Sequence, residues 1–157
     1  MLRISKLADY GTVVMVYLAR RAQHWLTASD IAEQTHVPQP TVSKLLKQLH
    51  QAQLVDSKRG SEGGYRLAYP ADKISVADII QAIDGETAVT QCSDSHEHCV
   101  LQPVCQIKGN WRLINHAITA ALASVTLAAF AKPAMKIDRI DISEIRQIGV
   151  RHDTTDA

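Results

Sequence analysis

No stretch of about 20 strongly apolar residues occurs in this chain of 157 residues. The most apolar segment, residues 117–131, is rich in alanine and is broken by Thr119, Ser124 and Thr126, which argues against a membrane-spanning helix. The first ten residues set Arg3, Lys6 and Asp9 among Leu2, Ile4 and Leu7, so no uninterrupted apolar leader follows the start and no export is expected. Cysteine is scarce. The three cysteines cannot all pair within one chain, and all lie between Cys92 and Cys105, which suits a reducing compartment and a local ligand cluster rather than a disulfide scaffold. Internal repeats and low-complexity tracts are missing, as are the Ser-His-Asp and paired-carboxylate patterns that would mark an enzyme. What remains is 46% apolar and 21% charged, enough for one modest core plus an appendage.

The net charge of +1 hides a segregation. Residues 1–70 hold nine basic and five acidic side chains, residues 71–105 one and six, and residues 106–157 seven and five. The positive excess is concentrated at the front of the chain, where a polyanion would meet it.

Apolar residues Leu7, Tyr10, Val14, Tyr17 and Leu18 recur at helical spacing and predict a first helix over residues 5–21. Thr27 and Asp30 have capping-box spacing and open a short second helix carrying Ile31 and Ala32. After the break at residues 37–40, Pro40 suits a first helical turn, and a third helix is predicted over residues 41–51 with Val42, Leu45, Leu46 and Leu49 inward. Residues 54–58 and 65–68 read as the strands of a small hairpin with a basic, glycine-rich tip. Ser75 and Asp78 cap a further helix that stops at Asp84-Gly85. Residues 86–105 show no sustained period, which marks a functional or irregular loop.

After Pro103, residues Ile107, Trp111, Ile114, Ile118, Ala121, Val125 and Ala128 alternate spacings of four and three. They predict one helix of about 24 residues, roughly 36 Å, whose seam would meet a partner helix in a homodimer. Pro133 ends it. The expected organisation is a DNA-binding domain over residues 1–85, a loop over 86–105, a dimerisation helix over 106–131 and a tail over 132–157. The fold class is mainly α with a small β-hairpin: a winged helix-turn-helix plus a long C-terminal dimerisation helix.

A helix 10–12 Å across fits the roughly 12 Å major groove of B-DNA. Once the third helix buries its apolar positions, Gln39, Thr41, Ser43, Lys44, Lys47 and Gln48 are left to read bases or hold phosphates of double-stranded DNA. Arg59, Ser61 and Arg66 in the hairpin are placed to grip the adjacent backbone or enter the minor groove. The cysteines run Cys92-x6-Cys99-x5-Cys105 and offer three soft ligands, which select zinc, copper(I) or iron–sulfur groups over magnesium or calcium. The lack of a C-x2-C pair fits a zinc ribbon poorly, although a zinc-stabilised interaction module using Cys92, His98, Cys99 and Cys105 is the rival of a different class. A fourth ligand would come from His96, His98, His116 or Asp9.

The opening Leu2-Arg3-Ile4-Ser5-Lys6, the wing Arg59-Gly60-Ser61-Glu62-Gly63-Gly64-Tyr65-Arg66-Leu67, the segment Ile79-Ile80-Gln81-Ala82-Ile83-Asp84-Gly85, the three cysteines and Trp111 occur in that order. Together they resemble the Rrf2 family of bacterial iron–sulfur regulators, over about residues 1–130. The resemblance implies a cytoplasmic homodimeric transcription factor whose cluster state alters DNA affinity, with Cys92, Cys99 and Cys105 as ligands to a two-iron or four-iron cluster. Six rather than five residues separate the first two cysteines. Where the IscR-like branch carries a histidine three residues after the last cysteine, this chain has Lys108. Asp9 matches the acidic position that the NsrR-like branch uses, and so is the preferred fourth ligand. The chain looks most like regulators that repress SUF-type iron–sulfur assembly genes while loaded, with a nitric oxide or redox sensor as the alternative.

Overall fold

The computed structural model describes residues 4–60, 62–86, 88–90 and 105–132. Within them, four of six helices start at a serine or threonine whose hydroxyl accepts from the backbone two or three residues into the helix. Such a cap satisfies a donor the helix cannot pair internally, at a value of about 1 kcal/mol. Helix α1 spans Lys6–Arg20 behind Ser5, and α2 spans Ala28–Thr35 behind a complete Thr27–Asp30 capping box. Helix α2 ends at His36, in the left-handed region at φ 57°. Helix α3, Gln39–Gln51, starts two residues before the expected point because Pro40 sits inside its first turn, where no donor is needed.

Strands β1, Val55–Lys58, and β2, Gly64–Leu67, form an antiparallel hairpin with Val55 opposite Leu67 and Lys58 opposite Gly64. Leu26, in the α1–α2 connection, adds a bridge to Tyr65 through two backbone hydrogen bonds of 3.0 and 2.8 Å. A 3-10 turn at Ala71–Lys73 leads to α4, Val76–Asp84, which the Ser75–Asp78 capping box opens and Gly85 closes at φ 86°. The core is the buried side chains of these elements, among them Met15, Leu18, Ile31, Leu45, Leu46, Leu49 and Ile79. Each fully buried side chain of this size contributes about 1.5–3 kcal/mol.

Two sequence expectations shift. On α1 the buried line is Ala8, Gly11, Val14, Met15 and Leu18, while Leu7, Tyr10 and Tyr17 are half-buried at its edge. The face turns because Gly11 lets α4 approach so closely that a Cβ there would collide with Ile83 Cδ1. The rim tyrosines carry cations over their rings, Lys6 on Tyr10 and Arg21 on Tyr17.

The second shift corrects the long helix. Helix α5 covers only Lys108–Ser124, about 26 Å. Val125 and Thr126 are extended, and α6 runs from Leu127 to Ala131. The backbone at the break pairs instead with the start of α4: Val76 N–H donates to Val125 O at 2.9 Å and Leu127 N–H to Ile74 O at 2.7 Å. Two adjacent β-branched residues favour this extended pairing, and the Thr126 hydroxyl then caps α6 by accepting from Ala129 N–H. Leu127 is fully buried, so α6 belongs to the head, and Val125 leaves the seam that the sequence pattern gave it.

Candidate nucleic-acid interface and cysteine site

Helix α3 divides cleanly. Val42, Leu45, Leu46 and Leu49 are buried, while Gln39, Ser43, Lys44 and Lys47 are exposed and Thr41 is half-buried at the edge. The first turn of α3 has no acidic residue and no side-chain cap, and the Thr41 and Val42 N–H groups close it on Pro38 O at 2.9 and 3.0 Å. His50, which the sequence reading passed over, fixes the hairpin against this helix: its Nδ1 donates to Val55 O at 2.9 Å, and Nε2 lies 3.4 Å from Ser57 Oγ. A histidine closing a recognition helix one turn before a strand was the available signal.

Gln48 departs from the expected DNA-facing set. Its Nε2 donates to Ile83 O at 3.3 Å, and its Oε1 is buried without a partner. The physical reason is helical phase, since position 48 falls between the buried Leu45 and Leu49 on the side facing α4. Arg59 and Lys58 are exposed at the start of the wing tip, and Gly63 N–H closes the turn on Gly60 O at 3.0 Å. Ser61 lies outside the described residues. Arg66 is exposed but engaged: its guanidinium carbon lies 4.3 Å from the Trp25 ring centroid, and its Nε lies 3.7 Å from Asp56 Oδ2.

Of the expected cluster ligands, Cys92, Cys99, His96 and His98 lie outside the described residues. Cys105 is half-buried with a free thiol. Asp9 is exposed and borders an open cleft of about 380 Å³ between α1, α4 and α6 that Lys6, Thr12, Ile80 and Phe130 also line. His116 is exposed on α5. Among the described residues no three His, Cys, Asp or Glu side chains converge. Of the expected donors, the described ones are the free Cys105 thiol, the exposed Asp9 carboxylate and the exposed His116. Leu113 and Ile114 on α5, and Ile107 just before it, are more than 40% exposed, while Trp111, Ile118 and Ala121 are half-buried. Asn115 Oδ1 accepts from Val89 N–H at 3.1 Å, which ties the last described residues after α4 to α5. None of the helices among the described residues is long and apolar enough to cross a membrane.

Three helices followed by a hairpin, with a polar and basic outer face on the third helix, define a winged-helix DNA-binding protein. The profile of the Rrf2 family, described as iron-dependent transcriptional regulators, matches residues 4–133, and the chain belongs to that family. Membership makes it a transcriptional regulator rather than an enzyme. It is 29% identical over 121 residues to the HTH-type transcriptional regulator NsrR of Oceanobacillus iheyensis, a match that spans 76% of this chain and 80% of that one. The solved structure of CymR, the global cysteine regulator of B. subtilis, is similar at a TM-score of 0.66 and 29% identity, covering 83% of this chain and 97% of that one. That of T. potens IscR is similar at 0.63 and 30%, covering 88% and 93%.

Proposed function

We propose that this regulator works as a cytoplasmic homodimer, reads a double-stranded operator with α3 and the wing, and takes its signal from an iron–sulfur cluster on Cys92, Cys99 and Cys105. The observation that carries the DNA half is the division of α3 into a buried apolar face and an exposed face of Gln39, Thr41, Ser43, Lys44 and Lys47. The lysines hold phosphates as point charges, and the amide and hydroxyls reach base edges. Arg59 and Ser61 at the wing tip contact the neighbouring backbone or minor groove. Leu113 and Ile114, exposed on α5, and Ile107, exposed at its start, meet the same helix of a second copy, which sets two recognition helices about 34 Å apart.

The cluster half rests on the donor set. Three thiolates supply soft ligands, and Asp9 supplies a hard carboxylate from within the chain or across the dimer. When bound, the group supplies redox-active iron. The thiolates hold it, and the weaker carboxylate bond makes the site releasable, which suits a sensor. The resemblance to regulators of SUF-type assembly genes supports repression of those genes in the loaded state. Similarity to a protein named NsrR, together with the accessible Asp9, favours a nitric oxide or redox signal as the second reading.

Anaerobic purification followed by iron, sulfide and visible-absorption measurements tests the cofactor, and footprinting upstream of the assembly genes with loaded and stripped protein tests control. The expected result is a coloured protein whose promoter protection changes with loading. Stoichiometric zinc without iron, or equal protection in both states, overturns the proposal. An unchanged spectrum and cluster lifetime in Asp9→Ala removes Asp9 from the ligand set.

A further inference from the structure

The antiparallel register places Asp56 directly opposite Arg66. On the other edge of β2, the bridge between Leu26 and Tyr65 brings Trp25 opposite Arg66 as well. Asp56, Arg66 and Trp25 therefore form a row across three adjacent extended segments, with side chains on the face away from the half-buried Tyr65 and Leu67. The approach of the third segment is tight. A Cβ on Gly64 would lie 2.6 Å from Leu26 O, so only glycine lets the wing lie this close. The Arg66 guanidinium stacks on the indole at 4.3 Å and faces the Asp56 carboxylate at 3.7 Å. Its position is also set back from the tip: two register steps, roughly 7 Å, separate it from the last pair, Lys58 with Gly64.

We infer that Arg66 is a positioning residue rather than a DNA contact, and that Trp25 is its anchor. Together with Asp56 they fasten the wing to the α1–α2 connection and so fix where Lys58 and Arg59 stand relative to α3. The inference concerns DNA binding alone and does not rest on the cluster reading. A planar guanidinium stacked on an aromatic face beside a carboxylate has its stacking surface covered and its charge partly met. A lysine at the same place keeps the charge a phosphate would want but has no planar face for the indole. The two roles therefore separate experimentally.

The test uses the full chain and a labelled duplex that the wild-type protein recovers from a randomised pool, with affinity measured across a salt series. If Arg66 positions the wing, Trp25→Ala and Arg66→Lys each weaken binding about 3- to 10-fold. The double variant is then no worse than the weaker single, Trp25→Phe binds like wild type, and the slope of log affinity against log salt is unchanged in all of them. If Arg66 holds a phosphate, Arg66→Lys binds like wild type and Arg66→Gln lowers that slope by about 0.9. Either of those results overturns the inference, as does wild-type binding by Trp25→Ala. Helical circular dichroism and thermal melting show whether each variant is folded, and Trp25→Phe with Arg66→Lys preserve the test if Trp25→Ala is not.

Discussion

Gly11 on α1 and Ile83 on α4 make the closest helix approach in the head, and a pair of substitutions isolates it. Gly11→Ala adds one methyl that meets Ile83 Cδ1, whereas the next nearest atoms, Ile83 Cγ1 at 3.4 Å and Leu45 Cδ2 at 3.5 Å, are in ordinary contact range. Overpacking of this kind costs about 1–3 kcal/mol. Alanine in place of glycine in a helix interior returns about 0.8–1 kcal/mol. The single variant is therefore expected to lose up to about 2 kcal/mol, towards the lower end if Ile83 rotates away. Ile83→Val deletes the Cδ1 atom alone and on its own should cost about 0.5–1.5 kcal/mol. In the double variant the alanine methyl occupies the space the valine vacates, so the clash and the cavity cancel and the helix gain remains. Stability at or up to about 1 kcal/mol above wild type is expected. Urea titration followed by helical circular dichroism, with unchanged denaturant dependence, measures all three variants. Losses that add within about 0.5 kcal/mol would refute the reasoning, because contacting sites must couple.

Lys44→Ala and Lys47→Ala should each reduce the salt slope of DNA binding by about 0.9 without altering sequence preference, since exposed lysines act on phosphates; a salt titration against duplex DNA measures this. Gln48→Met is expected to keep wild-type DNA affinity and cost less than about 1.5 kcal/mol of stability, because the amide faces α4 and its Oε1 is unpaired; a large affinity loss would return Gln48 to the interface. Leu127→Ala should cost about 2–5 kcal/mol in a denaturant melt, as α6 is part of the head's core. The Thr27 hydroxyl and backbone N–H hold the Asp30 carboxyl below its ordinary pKa of 3.8. The resulting stability is complete above that unfolded value and is lost as the pH falls below it, through the lower native value. Asp30→Asn is expected to flatten the corresponding fall in melting temperature.

The helices of the head were legible because their signals are local. Thr27–Asp30 and Ser75–Asp78 carry their own caps, and Val42, Leu45, Leu46 and Leu49 fit only one face of a helix. The phase of α1 was not, because it is decided by Gly11 admitting α4, a contact between residues far apart in the chain. The break at Val125-Thr126 was hidden for the same reason. An apolar seam continues through it in sequence, and only pairing with Ile74 and Val76 makes the extended form preferable. Among the candidate interface residues, the exposure of Lys44 and Lys47 followed from periodicity, whereas the contacts of Gln48 and Arg66 depend on partners across the fold, Ile83 in one case and Trp25 in the other.

The break after α5 stitches the far end of that helix to the start of α4, which also touches α3 through Gln48 and Ile83. Residues 86–105 leave from the C-terminal end of α4 and return into α5, whose far end is stitched to the N-terminal end of α4 at Ile74, Ser75 and Val76. Helix α4 thus packs against α1, α3 and α5. Its last turn is held in three places: the Ser5 hydroxyl donates to Asp84 at 2.7 Å, Ile83 packs on Gly11, and Gln48 reaches Ile83 O from α3. Ser5 is also the cap of α1, one turn before Asp9. A straight helix of 24 residues would have carried residues 125–131 away from the head. The turn at Val125 instead returns the chain to the head, so that α4 packs at once against α1, α3 and α5.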